Sequence, residues 1–125
     1  MSRQLYCLAQ FLPKAGKEKE VFRLLQALEP NTLREDGCIS YRVTRLVSNP
    51  NATRLVSNPN ADGQSFPIVF NEIWRDEAAF NAHCQRKEIV EFFAKYCEAE
   101  DGLIERWNVC VYSDEPEDYD APVFG

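Results

Sequence analysis

Residues Gln4 to Leu12 alternate, with Leu5, Cys7, Ala9 and Phe11 on one side and Tyr6, Leu8 and Gln10 on the other, a period of two that predicts a first strand. After the breaker Pro13-Lys14-Ala15-Gly16, the residues Val21, Leu24, Leu25 and Leu28 recur at helical spacing. They predict one helix from near Lys17 to near Leu33. The polar turn Glu35-Asp36-Gly37 ends it, with Gly37 able to take the positive φ that a chain reversal demands. Cys38 to Val47 reads as a second strand, Ile39, Tyr41 and Val43 alternating with Ser40 and Arg42. Pro67 to Arg75 reads as a third, with Ile68, Phe70, Glu72 and Trp74 on one face and Val69, Asn71 and Ile73 on the other. Asp76 is placed to cap a helix carrying Phe80 and either His83 or Cys84 inward. Beyond Arg86-Lys87, Ile89, Val90, Phe92, Phe93, Tyr96 and Cys97 form a broad apolar stripe, and Leu103 to Tyr112 supplies a fourth strand.

The order β-α-β-β-α-α-β predicts an α+β, ferredoxin-like fold: a four-stranded antiparallel sheet with helices on one face. Strands one and three are apolar on both faces, and helices cover only one. The other face calls for a second sheet, most simply that of a second subunit, giving a dimeric α/β barrel. The domain is expected over residues 1–112, followed by a tail at 113–125.

Thr44 to Ala52 recurs without change as Thr53 to Ala61, a tandem copy within residues 44–61. Nine is odd, so a copy inserted within a strand would turn every later side chain to the opposite face. The extra residues are expected outside the strand register, as a loop expansion costing about 1 kcal/mol or less in closure entropy.

Of the net charge of −6, the tail carries −5 through Asp114, Glu115, Glu117, Asp118 and Asp120 with no Lys or Arg. Overall acidity therefore describes the tail, and no basic stripe suits nucleic acid. No apolar run approaches the roughly 20 residues that span a bilayer, and no export signal is read at the start, so a cytoplasmic chain is expected. Cys7, Cys38, Cys84, Cys97 and Cys110 form no C-x-x-C pair and no metal-ligand rhythm, which fits reduced, structural thiols and no metal site.

The run Asn71-Glu72-Ile73-Trp74-Arg75-Asp76-Glu77-Ala78-Ala79-Phe80-Asn81-Ala82-His83 resembles the signature of the antibiotic biosynthesis monooxygenase superfamily: Glu-x-Trp ending a strand, an acidic helix start, and a His nine residues after the Trp. Arg34-Glu35-Asp36-Gly37-Cys38-Ile39-Ser40-Tyr41 is similar to that family's Glu-x-Gly-Cys-x-x-Tyr entry to strand two. The resemblance spans residues 4 to 112 and is closest to the quinol monooxygenase branch, whose Glu, Trp and His match Glu72, Trp74 and His83. The heme-degrading branch has an Asn, a Trp and a His where this chain has Gln10, His83 and Phe93. A polyketide-oxidising member has an Asn and a Tyr where this chain has Phe70 and Phe80. The resemblance therefore implies a cofactor-independent oxygenase acting with O2 on a quinol or related small aromatic compound.

His83 is the one histidine in the chain, and so the one side chain whose ordinary pKa lies near neutrality. Glu72 shares a face with Trp74 and is expected to approach His83, forming a pair able to move a proton, or a structural tie between helix and sheet. Trp74, Asn71, Phe70, Phe80, Phe93 and Tyr96 are the expected substrate contacts, though aromatics at helical spacing also serve as core. Two other functions fit the same residues. One is isomerisation of a small phosphorylated carbonyl compound, requiring Arg42 or Arg75 at the pocket mouth. The other is a non-enzymatic small-molecule-binding or stress-response dimer.

Overall fold

Alternate residues of the first strand, Leu5, Cys7, Ala9 and Phe11, are buried, as their period of two requires. The computed structural model describes residues 3–47 and 66–116. In chain order these form β1 (Leu5–Pro13), α1 (Glu18–Gln26), α2 (Glu29–Leu33), β2 (Cys38–Arg45), β3 (Ile68–Trp74), α3 (Glu77–Cys84), α4 (Lys87–Phe92), a π-helical stretch (Phe93–Glu98) and β4 (Ile104–Tyr112). The sheet runs β2-β3-β1-β4 with every pair antiparallel. This is the expected ferredoxin-like α+β arrangement. One core joins the sheet, through Phe11, Val43, Ile68, Phe70 and Trp74, to the helices, through Val21, Leu25, Ala79 and Phe92.

Several elements differ from the sequence reading, each for a local reason. The single helix expected over residues 17–33 is two, broken at Ala27 and Leu28. Pro30 sits in the first turn of α2 and has no N–H for the carbonyl four residues back, so the first helix cannot run through it. β2 stops at Arg45, and its pairing with β3 slips between Cys38 and Ser40. The extra residue there is Ile39, which is left 50% exposed while Tyr41 and Val43 are buried. Val90 is likewise exposed, off the stripe assigned to it. On α3 it is His83 that is buried, with Cys84 exposed at the helix end.

Gly37 does adopt the left-handed conformation, at φ 88°, and Asp76 caps α3 by accepting from the Ala79 N–H at 2.8 Å. The β2–β3 ladder continues to Arg45 opposite Ile68, and the Leu46 N–H donates to the Pro67 carbonyl at 2.8 Å. Neither strand therefore takes a residue from the second copy of the repeat. The segment 48–65 and the tail from residue 117 lie outside the described residues, and with them the conformation expected for the repeat. Among the described residues no helix is long and apolar enough to cross a membrane.

β4 extends beyond the helical layer. Its Trp107, Val109 and Val111 pair with Phe11, Ala9 and Cys7, so they share the inner face of the sheet, yet they are 38%, 44% and 47% exposed.

Candidate functional site

Between the sheet and the helices lies a cavity of about 70 Å³ whose walls are almost wholly apolar. Cys7, Ala9 and Phe11 of β1, Phe70 and Glu72 of β3, and Tyr41 of β2 form its floor. Phe80, His83 and Cys84 from α3, Phe92 and Phe93 at the junction of α4 with the π-helical stretch, and Leu25 and Leu28 enclose it. A cavity of roughly 150 Å³ accommodates benzene. Entry of an aromatic ring therefore requires side chains to move, and Phe80, Phe93 and Leu28, which are only partly buried, are placed to do so.

His83 is 4% exposed and lies against two aromatic rings, Trp74 at 4.6 Å and Tyr41 at 5.2 Å between centroids. Its Nδ1 meets the carboxylate of Glu35 at 3.0 and 3.3 Å. Arg86 Nε reaches the same Glu35 oxygen at 3.0 Å. Burial holds the His83 pKa below its ordinary value; Glu35 opposes this, and the Arg86 charge adds to it. The imidazole is thus favoured as a neutral base.

Glu72 lies on the inner face, 6% exposed, and accepts a hydrogen bond from Trp74 Nε1 at 2.9 Å. Burial lifts its pKa to about 7, against the opposing pull of the Trp74 N–H and the neighbouring Cys7 thiol. Burial also pushes up the thiols of Cys7 and Cys84, Cys84 to about 11, so both stay protonated at neutral pH. Among the described residues no three His, Cys, Asp or Glu side chains are grouped as a metal ion needs.

The turn Glu35-Asp36-Gly37 fixes the carboxylate beside the imidazole. The Arg75 N–H donates to the Gly37 carbonyl at 2.8 Å, and a Cβ on Gly37 would come within 2.5 Å of Ala79 Cβ. Gly37→Ala should therefore incur both left-handed strain and a clash with α3. A destabilisation of about 2–3 kcal/mol is expected, against about 1 kcal/mol for Gly16→Ala, whose φ of 80° is similar but whose surroundings are open. Thermal unfolding of the two variants checks this, and equal losses would show that the packing on α3 is slack.

The sequence profile of the antibiotic biosynthesis monooxygenase family matches residues 5–58. Over that stretch, which is under half of the chain, the sequence is similar to this family. A protein from Shewanella oneidensis aligns with 28% identity and a TM-score of 0.66, over 90% of this chain and 91% of that one. A candidate antibiotic biosynthesis monooxygenase from Deinococcus radiodurans aligns at 14% identity and TM-score 0.64, over 90% and 92% of the two chains. Another from Nitrosomonas europaea aligns at 12% and 0.64, over 90% and 91%. At such low identity these last two speak to the fold alone. No curated protein matches the chain.

The structure brings together some of the residues singled out from the sequence and separates others. His83, Glu72, Phe70, Phe80 and Phe93 all line the cavity. Trp74 is fully buried behind it, against His83. Asn71 lies on the opposite face of β3 and is exposed, donating to Thr44 Oγ1 at 2.9 Å, as the alternation along the strand dictates. Tyr96 packs on Phe92 at 5.0 Å and is not part of the cavity wall. The carboxylate bonded to the imidazole is Glu35, where the sequence reading had placed Glu72. Sequence reasoning quoted Glu35 only as part of a motif and a turn; its 48-residue separation from His83 leaves no periodic signal.

Proposed function

We propose that this chain is a cofactor-independent monooxygenase of the antibiotic biosynthesis monooxygenase superfamily, acting on a quinol or related small aromatic compound. The observation that carries this reading is a neutral, buried imidazole on an apolar cavity, with Nδ1 committed to a carboxylate. A carboxylate only accepts, so Nδ1 carries the hydrogen and Nε2 keeps its lone pair. Among the described residues no side chain is bonded to Nε2. It is then free to take the proton of a phenolic hydroxyl. The resulting anion is electron-rich enough to reduce O2 directly; one oxygen atom enters the ring, the other leaves as water, and the four electrons come from the quinol. Glu72, with its pKa near 7, can hold or return a proton as the oxygen is reduced. The surrounding aromatic side chains exclude water from the reactive anion.

Purified protein should accelerate O2 uptake by menadiol or a smaller hydroquinone above the rate in buffer. Ligand binding without acceleration would favour a non-enzymatic binding protein, and this reading would then be abandoned. Isomerisation of a phosphorylated compound finds less support. Arg42 is exposed, Arg75 is tied to Asp36 and Asp76 at 3.2 and 3.3 Å, and neither lines the cavity.

The working unit in this proposal is a homodimer. Trp107, Val109 and Val111 expose apolar surface continuous with the cavity, since Val109 lines it, and a second subunit over β4 would complete that wall. Val111→Asp should raise the dissociation constant about 100-fold, because an unpaired carboxylate in an apolar contact costs about 3 kcal/mol. Sedimentation equilibrium reads this; a wild-type chain that is monomeric at micromolar concentration would rule the dimer out.

A further inference from the structure

Glu35 has no role in the sequence-based assignment, yet it makes the one side-chain hydrogen bond of His83 among the described residues. Its side chain is 9% exposed and its place is set by backbone contacts: its N–H donates to the Thr32 carbonyl at 3.0 Å and its carbonyl accepts from the Cys38 N–H at 3.1 Å. Arg86 Nε at 3.0 Å braces the oxygen that meets the imidazole, and Arg86 is itself held by Glu88 at 2.9 Å. A chain of alternating charge thus runs from the surface to the cavity: Glu88, Arg86, Glu35, His83.

We propose that Glu35, braced by Arg86, is the positioning residue of the site: it fixes His83 in the Nδ1–H tautomer and keeps Nε2 as the basic atom turned to the cavity. Three physical steps lead there. A carboxylate cannot donate, so a ring nitrogen 3.0 Å away must. A ring rotated by half a turn would set a carbon against Glu35 and leave a buried carboxylate with one partner fewer, which is costly. When Nε2 takes a proton, the adjacent negative charge stabilises the imidazolium that burial would otherwise forbid. The arrangement therefore separates two tasks. Depth in the apolar layer keeps the resting ring neutral, and Glu35 keeps the charged ring attainable.

Other titratable groups face the ring or share its cavity: Tyr41 on β2, Glu72 on β3, Cys7 on β1 and Cys84 on α3. Of these only Glu72 titrates near neutral pH. It is kept intact in the Glu35 and Arg86 variants that test the proposal.

Because the chain has a single histidine, ring-nitrogen NMR of protein labelled with 15N-histidine reports this site alone. Wild-type protein at pH 8 should show a protonated Nδ1 and an unprotonated Nε2. In Glu35→Gln the amide can turn its NH2 to the ring, so the tautomer should become mixed or reversed, and the titration midpoint should fall. Glu35→Asp should return the midpoint part of the way. Arg86→Gln, at a side chain 41% exposed, tests the brace; with Glu35 freed, the tautomer should become mixed. An unchanged tautomer and midpoint in Glu35→Gln, or an unchanged tautomer in Arg86→Gln, would overturn the proposal.

The importance of this positioning to turnover rests on His83 being the base. On that reading Glu35→Gln lowers kcat by about 10-fold for lost orientation and up to about 10⁴-fold for the wrong tautomer, with KM little changed. Failure of the oxygenase reading would remove the kinetic effect and leave the NMR result standing, so the two are separable.

Discussion

His83→Ala protein is expected to consume O2 with a hydroquinone at least about 100-fold more slowly than wild type, approaching the spontaneous oxidation rate in buffer. A positioned general base contributes typically 10²–10⁴-fold, and no other described side chain on the cavity wall is a neutral base at pH 7. Glu72 is a carboxylic acid poised near 7 and held by the Trp74 indole, so it replaces the imidazole poorly. In wild type, kcat/KM should rise with pH as the imidazole loses its proton. Burial lowers that pKa, so the rise belongs below pH 6.5, the ordinary value. An oxygen electrode measures both, with circular dichroism to confirm that the variant is folded. Equal rates for the two proteins would remove His83 from the chemistry.

Glu72→Gln is expected to be more stable than wild type at pH 8 by up to roughly 3 kcal/mol, the cost of lifting a carboxyl pKa from an ordinary 4.5 to about 7. Between these two values the folded chain retains a proton that the unfolded chain has released. Wild-type stability therefore declines as pH rises through that window, and the contribution is fully present only below about 4.5. The amide has no such ionisation and can still accept from the Trp74 indole. His83 acts in the opposite direction just below pH 6.5, but it is common to both proteins and drops out of the difference. Urea denaturation at pH 4.5 and pH 8 gives the comparison. A stability gap that does not widen with pH would show that Glu72 stays ionised, and with it would go its part in returning protons during turnover.

Features set by local rules were legible in the sequence. The period of two placed β1 and β3 and put Glu72 on the inner face, and the reversal at Gly37 and the cap at Asp76 followed from what those residues permit. The helix expected over residues 17–33 was misread because its apolar spacing persists across Pro30, and periodicity does not register a missing N–H. The alternation grouped Ile39 with Tyr41 and Val43 and gave no sign of its exposure, because a bulge leaves no mark in an alternating pattern. The partner of His83 was beyond reach for a different reason. Two acids were available, and choosing Glu35 over Glu72 depends on how α3 lies over the turn before β2, a tertiary relation with no local signature. The cavity itself shows the same limit: Phe70, Phe80 and Phe93 were named as its lining, whereas Asn71 was carried along by proximity in sequence to a residue on the other side of the strand.

The closing of the β2–β3 ladder at Arg45 and Ile68 has a bearing on how this gene can change. Every residue that lines the cavity lies before Arg45 or after Ile68 and is anchored by pairings and packing there, so copying errors between the two strands alter chain length without shifting any of those anchors. A tandem duplication has accumulated there, whereas a one-residue slip inside β3 would have exchanged Glu72 for a side chain on the opposite face. Length polymorphism among close variants should therefore gather at this one junction, and descent could be traced there without any change at the cavity.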